Sequence, residues 1–261
     1  MQLVFLALLI WGAILWWARQ TRPAAPLIIA HRGASAYAPE NTLAALHDAI
    51  QREATWLEVD VRQTADQIPV LLHDRSVNRT TDGVGTVDKL TLDHLQQLDA
   101  GSHFSRTFSG EHIPTLSAVL QLLEASPAVN LLMEVKEPAR YPDLGMRIAE
   151  AIRAHQLAER VIVMSFDGHW LQDFQNTAPD IQIGCLGFDV KDEDNLENAV
   201  FANIHWTRVL MTPWRFRKLK SDGHQVLVWT VDNLALMRLL LWMGVDGITT
   251  NRPDILSIDR L

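Results

Sequence analysis

The sequence predicts an α/β fold: a parallel barrel of eight strands with helices around it, and an apolar helix ahead of the barrel. Three observations carry this. From residue 27 onward, short apolar runs alternate with helical patterns. Most runs are continuously apolar, as strands of a parallel sheet covered on both faces are. Polar residues gather at the carboxyl ends of several runs, where a parallel barrel places its chemistry.

The runs are LIIA (27–30), WLEVD (56–60), IPVLLH (68–73), NLLMEV (130–135), VIVMSF (161–166), IQIGCLG (181–187), RVLMT (208–212), QVLVWT (225–230) and GITT (247–250). That is one strand too many for eight, and RVLMT, crowded by polar residues and Trp, is the one to set aside. Helical patterns cover 42–52, 116–125, 143–155, 168–177, 214–221 and 234–243. In the first of these, Leu43, Leu46 and Ile50 share one face. Asp232 or Asn233 caps the last helix, and Gly244 follows it as a C-terminal glycine. The stretch 75–112 breaks the rhythm with turn signals and one short helical pattern at 92–98. It reads as an insertion after the third strand that lies over a barrel mouth, and loops of that length tend to be functional.

Residues 1–18 carry no charged side chain, just reach bilayer-spanning length, and place Trp11, Trp16 and Trp17 at their far end. A cleaved signal peptide is the rival, but the chain lacks a basic leader and an A-x-A site. A transmembrane anchor over 1–18, a stiff linker over 19–26 and a barrel over 27–261 is therefore the expected organisation. Arg19 and Arg22 follow the apolar run, and by the positive-inside rule they place the barrel on the cytoplasmic side. A net charge of −8 makes nucleic acid an unsuitable partner. A bound cation would still let phosphate esters approach an acidic chain. The single cysteine, Cys185, excludes an intramolecular disulfide and reads as a buried, inert thiol.

Four strand ends carry residues that a buried parallel strand would not otherwise tolerate. They are His31-Arg32, Glu58-x-Asp60, His73-Asp74 and Glu134-x-Lys136. The two-residue spacing points Glu58 and Asp60 to one face, and Glu134 and Lys136 likewise. Each has an ordinary alternative: a solvated strand end, a self-capping turn at Asp74, or an ion pair between Glu134 and Lys136. Taken together they suggest one site. Glu58, Asp60 and Glu134 offer hard oxygen donors suited to Mg²⁺ or Ca²⁺ rather than zinc. His31 and His73 are free for proton transfer, and Arg32 and Lys136 supply positive charge. A divalent cation, two imidazoles and two basic groups describe a phosphodiester-cleaving site.

These residues carry a resemblance. HRGASAYAPENT (31–42), LEVDVRQTADQIPVLLHD (57–74), RTTDGVG (79–85), IPTL (113–116), LMEVK (132–136), VWTVD (228–232) and GVDGITTNRPD (244–254) resemble the glycerophosphodiester phosphodiesterases. The resemblance implies a (β/α)₈ barrel of TIM type and a divalent metal on Glu58, Asp60 and Glu134. It assigns acid and base roles to His31 and His73, substrate phosphate contact to Arg32 and Lys136, and a pocket wall to Trp229. Glu40 sits in the motif loop and is expected to orient the site. The implied reaction uses the substrate's glycerol 2-hydroxyl as internal nucleophile. It passes through a cyclic phosphate, and yields an alcohol and sn-glycerol 3-phosphate. Two alternatives remain: a lysophospholipase D acting on membrane lysophospholipids, and an inactive barrel that only binds phosphate esters. Trp206, Trp214 and Phe216 would form an acyl-chain lip in the first, or simply pack their helices. The segment 188–213 follows the family pattern least.

Overall fold

The protein is described here from a computed structural model covering residues 26–187 and 198–256. Its strands, in chain order, are β1 (Leu27–His31), β2 (Trp56–Gln63), β3 (Pro69–Leu71), β4 (Asn130–Val135), β5 (Val161–Ser165), β6 (Gln182–Gly187), β7 (Ala199–His205), β8 (Gln225–Trp229) and β9 (Gly247–Thr250). All except β3 pair in parallel. Because β1 pairs with both β2 and β9, the sheet closes into an eight-stranded barrel of TIM type. The connecting helices are α1 (Leu43–Gln51), α2 (Leu92–Leu95), α3 (Leu116–Glu124), α4 (Leu144–Ala154), α5 (Gly168–Thr177), α6 (Trp206–Met211), α7 (Pro213–Ser221) and α8 (Leu234–Trp242).

The strands are apolar on both faces because both are covered. One face packs outward on the helices, with Leu57, Val59, Leu131, Met133 and Val163 set against α1, α3 and α4 residues such as Leu46, Leu120 and Ile148. The other face fills the barrel with Ile29, Leu132, Ile162, Met164, Leu186, Phe201 and Leu227. Such a plugged interior leaves only the rim for a ligand. The helix starts are capped by side chains: Thr42, Thr115, Asp167 and Asn233 each accept a backbone N–H of the first turn. Asn233, not Asp232, caps α8, and Gly244 behind it has φ +96°.

The structure corrects the strand count in two compensating places. IPVLLH is not a barrel strand. Within it β3 runs antiparallel to β2, with Val61 opposite Leu71 and Gln63 opposite Pro69. β2 is long enough to overshoot the rim, so the chain folds back along it and returns to the site. RVLMT, set aside above, lies across the end of helix α6. The missing barrel strand is β7, AVFANIH, whose polar Asn203 and His205 mask its periodicity. The insertion therefore follows the second barrel strand rather than a third. It has its own small core of Val70, Leu72, Val77, Val87, Leu95, Leu98, Ala100 and Ile113.

Phe216 is 1% exposed within the core, which removes it from any acyl-chain lip, whereas Trp214 is 65% exposed. Cys185 is half-buried rather than buried. The expected anchor over 1–18 lies outside the described residues. Among the described residues, no helix is long and apolar enough to cross a membrane.

Candidate active site

The loop after β1 is built by short-range chemistry. Arg32 (φ +55°) and Gly33 (φ +81°) turn the chain sharply at the rim. A Cβ on Gly33 would lie 2.5 Å from the Ala45 carbonyl carbon of α1, so only glycine allows this approach. Asn41 then clamps the loop to β2: its amide donates to Asp60 Oδ2 at 2.9 Å and its Oδ1 accepts the Asp60 N–H at 3.1 Å. Thr42 starts α1 while its hydroxyl donates to the Pro39 carbonyl at 2.7 Å.

Sheet register then assembles the carboxylates. His31 sits opposite Glu58, and Asp60 opposite Glu134, so three adjacent strand ends present their side chains together. One oxygen from each of Glu58, Asp60 and Glu134 falls within 4.8 Å of the others. Lys136 Nζ lies 2.6 Å from Glu134 and 3.0 Å from Asp60, so the pairing of Glu134 with Lys136 anticipated above exists, inside the cluster. Arg32 Nε stands 3.0 Å from Asp60, and the Arg32 backbone N–H donates to Glu58 at 2.9 Å. Asp60 Oδ1 and Arg32 Nε are buried and close to opposite charge, yet neither is aligned for a hydrogen bond. A buried carboxylate oxygen without a hydrogen bond, in a set of three hard donors, fits a divalent cation.

The electrostatics agree. Burial, reinforced by the charge of Asp60, pushes Glu58 well above the usual carboxylate range and Glu134 up to about 7. Burial would raise Asp60 too, but Lys136 and then Arg32 hold it below that range. Clustered carboxylates that resist ionising together would be relieved by a metal ion.

Both imidazoles are held by their Nδ1 atoms. His31 Nδ1 lies 2.7 Å from Asn251 Oδ1. Asn251 is itself oriented by Asp232, which accepts its side-chain amide at 2.6 Å and its backbone N–H at 2.8 Å. Since a carboxylate only accepts, the Asn251 oxygen must face His31, so Nδ1 carries the proton and Nε2 keeps a lone pair. Burial, with the Arg32 cation, holds His31 down at about 4, which keeps it neutral at pH 7. His73 Nδ1 lies 2.7 Å from Asp74. Burial lowers its value, and the charge of Asp60 opposes the shift. Arg62 fixes the position of His73 by donating to its carbonyl from two nitrogens, at 3.0 and 2.8 Å.

The insertion joins this network through Arg79, which donates to Asp74 at 2.6 Å and to both oxygens of Glu40 at 2.7 and 2.8 Å. Glu40 also accepts from Arg32 at 2.8 Å, so it orients the site as expected. His31, Arg32, Glu58, His73, Glu134, Lys136 and Trp229 line one cavity of about 300 Å³, and Asp60 lies beside it in the carboxylate cluster. Trp229 forms its aromatic wall, edge-on to Phe166 and His205 at centroid distances of 5.9 and 5.1 Å. All eight residues singled out in the sequence thus converge. Asn41, Arg79 and Asn251 hold them in place but have no role in the sequence reading, although each lies in a quoted motif; Asp74, read there only with His73, and Asp232, read there as a helix cap, prove to orient the two imidazoles.

A parallel barrel with a carboxylate cluster, two oriented neutral imidazoles and two cations at its carboxyl rim defines a class: a TIM-type barrel enzyme built to hold a cation beside an anionic ester. Comparison with known proteins gives the family. The sequence profile of the glycerophosphoryl diester phosphodiesterase family matches residues 31–255. A glycerophosphodiester phosphodiesterase of Caldanaerobacter subterraneus subsp. tengcongensis is 37% identical over 235 residues, 88% of this chain and 96% of that one. A phosphodiesterase of Oleispira antarctica, whose structure was solved in complex with the product sn-glycerol-3-phosphate, matches with TM-score 0.81 at 31% identity, covering 91% of this chain and 96% of that one. A glycerophosphodiester phosphodiesterase of Agrobacterium tumefaciens matches with TM-score 0.77 at 29% identity, covering 88% and 98%. The chain belongs to the glycerophosphoryl diester phosphodiesterase family and is a phosphoric diester hydrolase.

Proposed function

We propose that this site hydrolyses glycerophosphodiesters to an alcohol and sn-glycerol 3-phosphate, with His31 and His73 as the acid–base pair. The observation that carries the reading is the juxtaposition of two Nε2 atoms, each freed by an Nδ1 contact, with the carboxylate cluster in one cavity. Arg32 and Lys136 supply positive charge for the phosphoryl oxygens. Glu58, Asp60 and Glu134 would hold Mg²⁺ or Ca²⁺, which supplies Lewis-acid stabilisation of developing phosphoryl charge. One imidazole takes the proton of the glycerol 2-hydroxyl as its oxygen bonds phosphorus. The other protonates the departing alcohol as its P–O bond breaks. The roles reverse when water opens the resulting cyclic phosphate. Attack from within the substrate has a large effective molarity. Nothing in the site speaks for an inactive binder, because every carboxylate and imidazole of the set is in place.

The charge-free run 1–18 supports a single-pass membrane anchor with the barrel over 27–261 on the cytoplasmic side. Leu27 opens β1 at the amino-terminal rim, opposite the site. A tether joined there favours water-soluble diesters over lysophospholipids in the same bilayer. The apolar rim residue Phe166, 46% exposed, is the feature that favours the lysophospholipid reading. The test is release of sn-glycerol 3-phosphate from glycerophosphocholine, with lysophosphatidylcholine in parallel, under Mg²⁺, Ca²⁺ or chelator. Turnover that chelator stops, and that His31→Ala and His73→Ala each lower at least ~100-fold, is expected, in line with general acid–base contributions. Near-wild-type rates in either variant would refute its role.

A further inference from the structure

The cavity is split by polarity. The ends of β1 to β4 contribute its charged half, whereas β5 to β9 and the residues just after them contribute Met164, Phe166, Leu186, Trp229 and three polar residues, Asn203, Thr230 and Thr249. Asn203 and Thr249 are nearly sealed, at 3% and 2% exposure, and Thr230 is half-buried. Among the described residues, Asn203 Oδ1 and Thr249 Oγ1 have no hydrogen-bond partner, and the Asn203 amide donates to the Met164 sulfur at 3.7 Å. Both sit on inward positions of barrel strands: Thr249 stands opposite Ile29, and Asn203 opposite Leu227. Buried polar atoms normally find partners, and leaving one unmatched is costly. Two such atoms in a largely apolar half-cavity mark a place for a small polyhydroxyl group.

We infer that Asn203 and Thr249 form a specificity pair that reads the free primary hydroxyl of the substrate's glycerol moiety. The inference rests on the proposed function and deepens it. With the phosphate beside Arg32 and Lys136, the part of the substrate that enters the apolar half is the short uncharged glycerol. Its remote hydroxyl is then the group able to donate to Asn203 and bond Thr249. A site built to hydrogen-bond a hydroxyl rejects an analogue that lacks it more strongly than an apolar pocket can, because the site's own polar atoms stay unmatched.

The experiment compares kcat/KM for glycerophosphocholine with that for its sn-1-deoxy analogue, the propane-1,2-diol diester that keeps the 2-hydroxyl and the phosphocholine but lacks the free primary hydroxyl, in wild type, Asn203→Leu and Thr249→Val. Thr249→Val conserves shape and keeps the test usable should Asn203→Leu not fold. The expected wild-type preference for the glycerol diester is at least ~10-fold, the discrimination of one or two hydrogen bonds. Each variant should bring the ratio close to one. A wild-type ratio near one, or variants that keep the wild-type ratio, would overturn the pair's role while leaving the hydrolase reading intact. A wild-type protein inactive on both diesters would overturn that reading, and this inference with it.

Discussion

The carboxylate cluster makes the stability of the protein depend jointly on pH and on a divalent cation. Glu134 is buried and its value is pushed up to about 7 from an ordinary 4.5, and burial with the charge of Asp60 also raises Glu58 well above the ordinary value. A raised carboxyl value means the folded state holds a proton that the unfolded chain releases. That contribution is complete below 4.5 and is lost as pH rises through about 7. For Glu134 alone the loss is ~3 kcal/mol. Cation binding needs both carboxylates ionised, so its gain should be largest where the unliganded protein is weakest. At a hundredfold excess over Kd the cation adds ~2.7 kcal/mol. For a chain of this size that corresponds to a rise in Tm of ~5–10 °C. The assay is thermal unfolding at pH 5.5 and pH 8, with Mg²⁺ or Ca²⁺ against chelator. The rise should be several degrees larger at pH 8. Glu58→Gln removes a buried charge while its amide oxygen still accepts the Arg32 N–H, so without cation at pH 8 it should melt above wild type and respond little to cation. An equal cation effect at both pH values, or a full response in Glu58→Gln, would refute the reasoning.

Asn251→Ala should lower kcat ~10–100-fold with KM within a few-fold, because His31 loses the acceptor that fixes its tautomer; an unchanged kcat would show that Asp232 and Asn251 do not position the imidazole. Gly33→Ala should destabilise the fold by ~2–3 kcal/mol through a positive φ and a clash with Ala45, measured by urea unfolding at fixed cation. A loss below ~0.5 kcal/mol would mean that the loop relaxes freely.

The site was more legible than the strand order. Parallel strands buried on both faces are apolar, so Glu58, Asp60, Glu134 and Lys136 stand out wherever they end one. Two-residue spacing fixes which of them share a face without any knowledge of the barrel. β7 escapes the pattern because Asn203, which lines the cavity, and His205, which packs on Trp229, break its apolar run. β3 was mistaken for a barrel strand because composition does not report direction, and VLL reads the same whether it pairs parallel or antiparallel.

What the chain by itself determined was local: the strand end at His31-Arg32-Gly33, a cap at Asp232 or Asn233, and the identity of the groups able to bind an ion and move protons. These follow from spacing and side-chain chemistry within a few residues. Only the tertiary structure decided which groups meet and in what state. His31 is held by Asn251 from 220 residues away, and Asp74 and Glu40 are joined by Arg79 across the insertion. Barrel closure puts the first strand beside the last, and it is this closure, with the burial that comes with it, that fixes the histidine tautomer and raises the carboxyls.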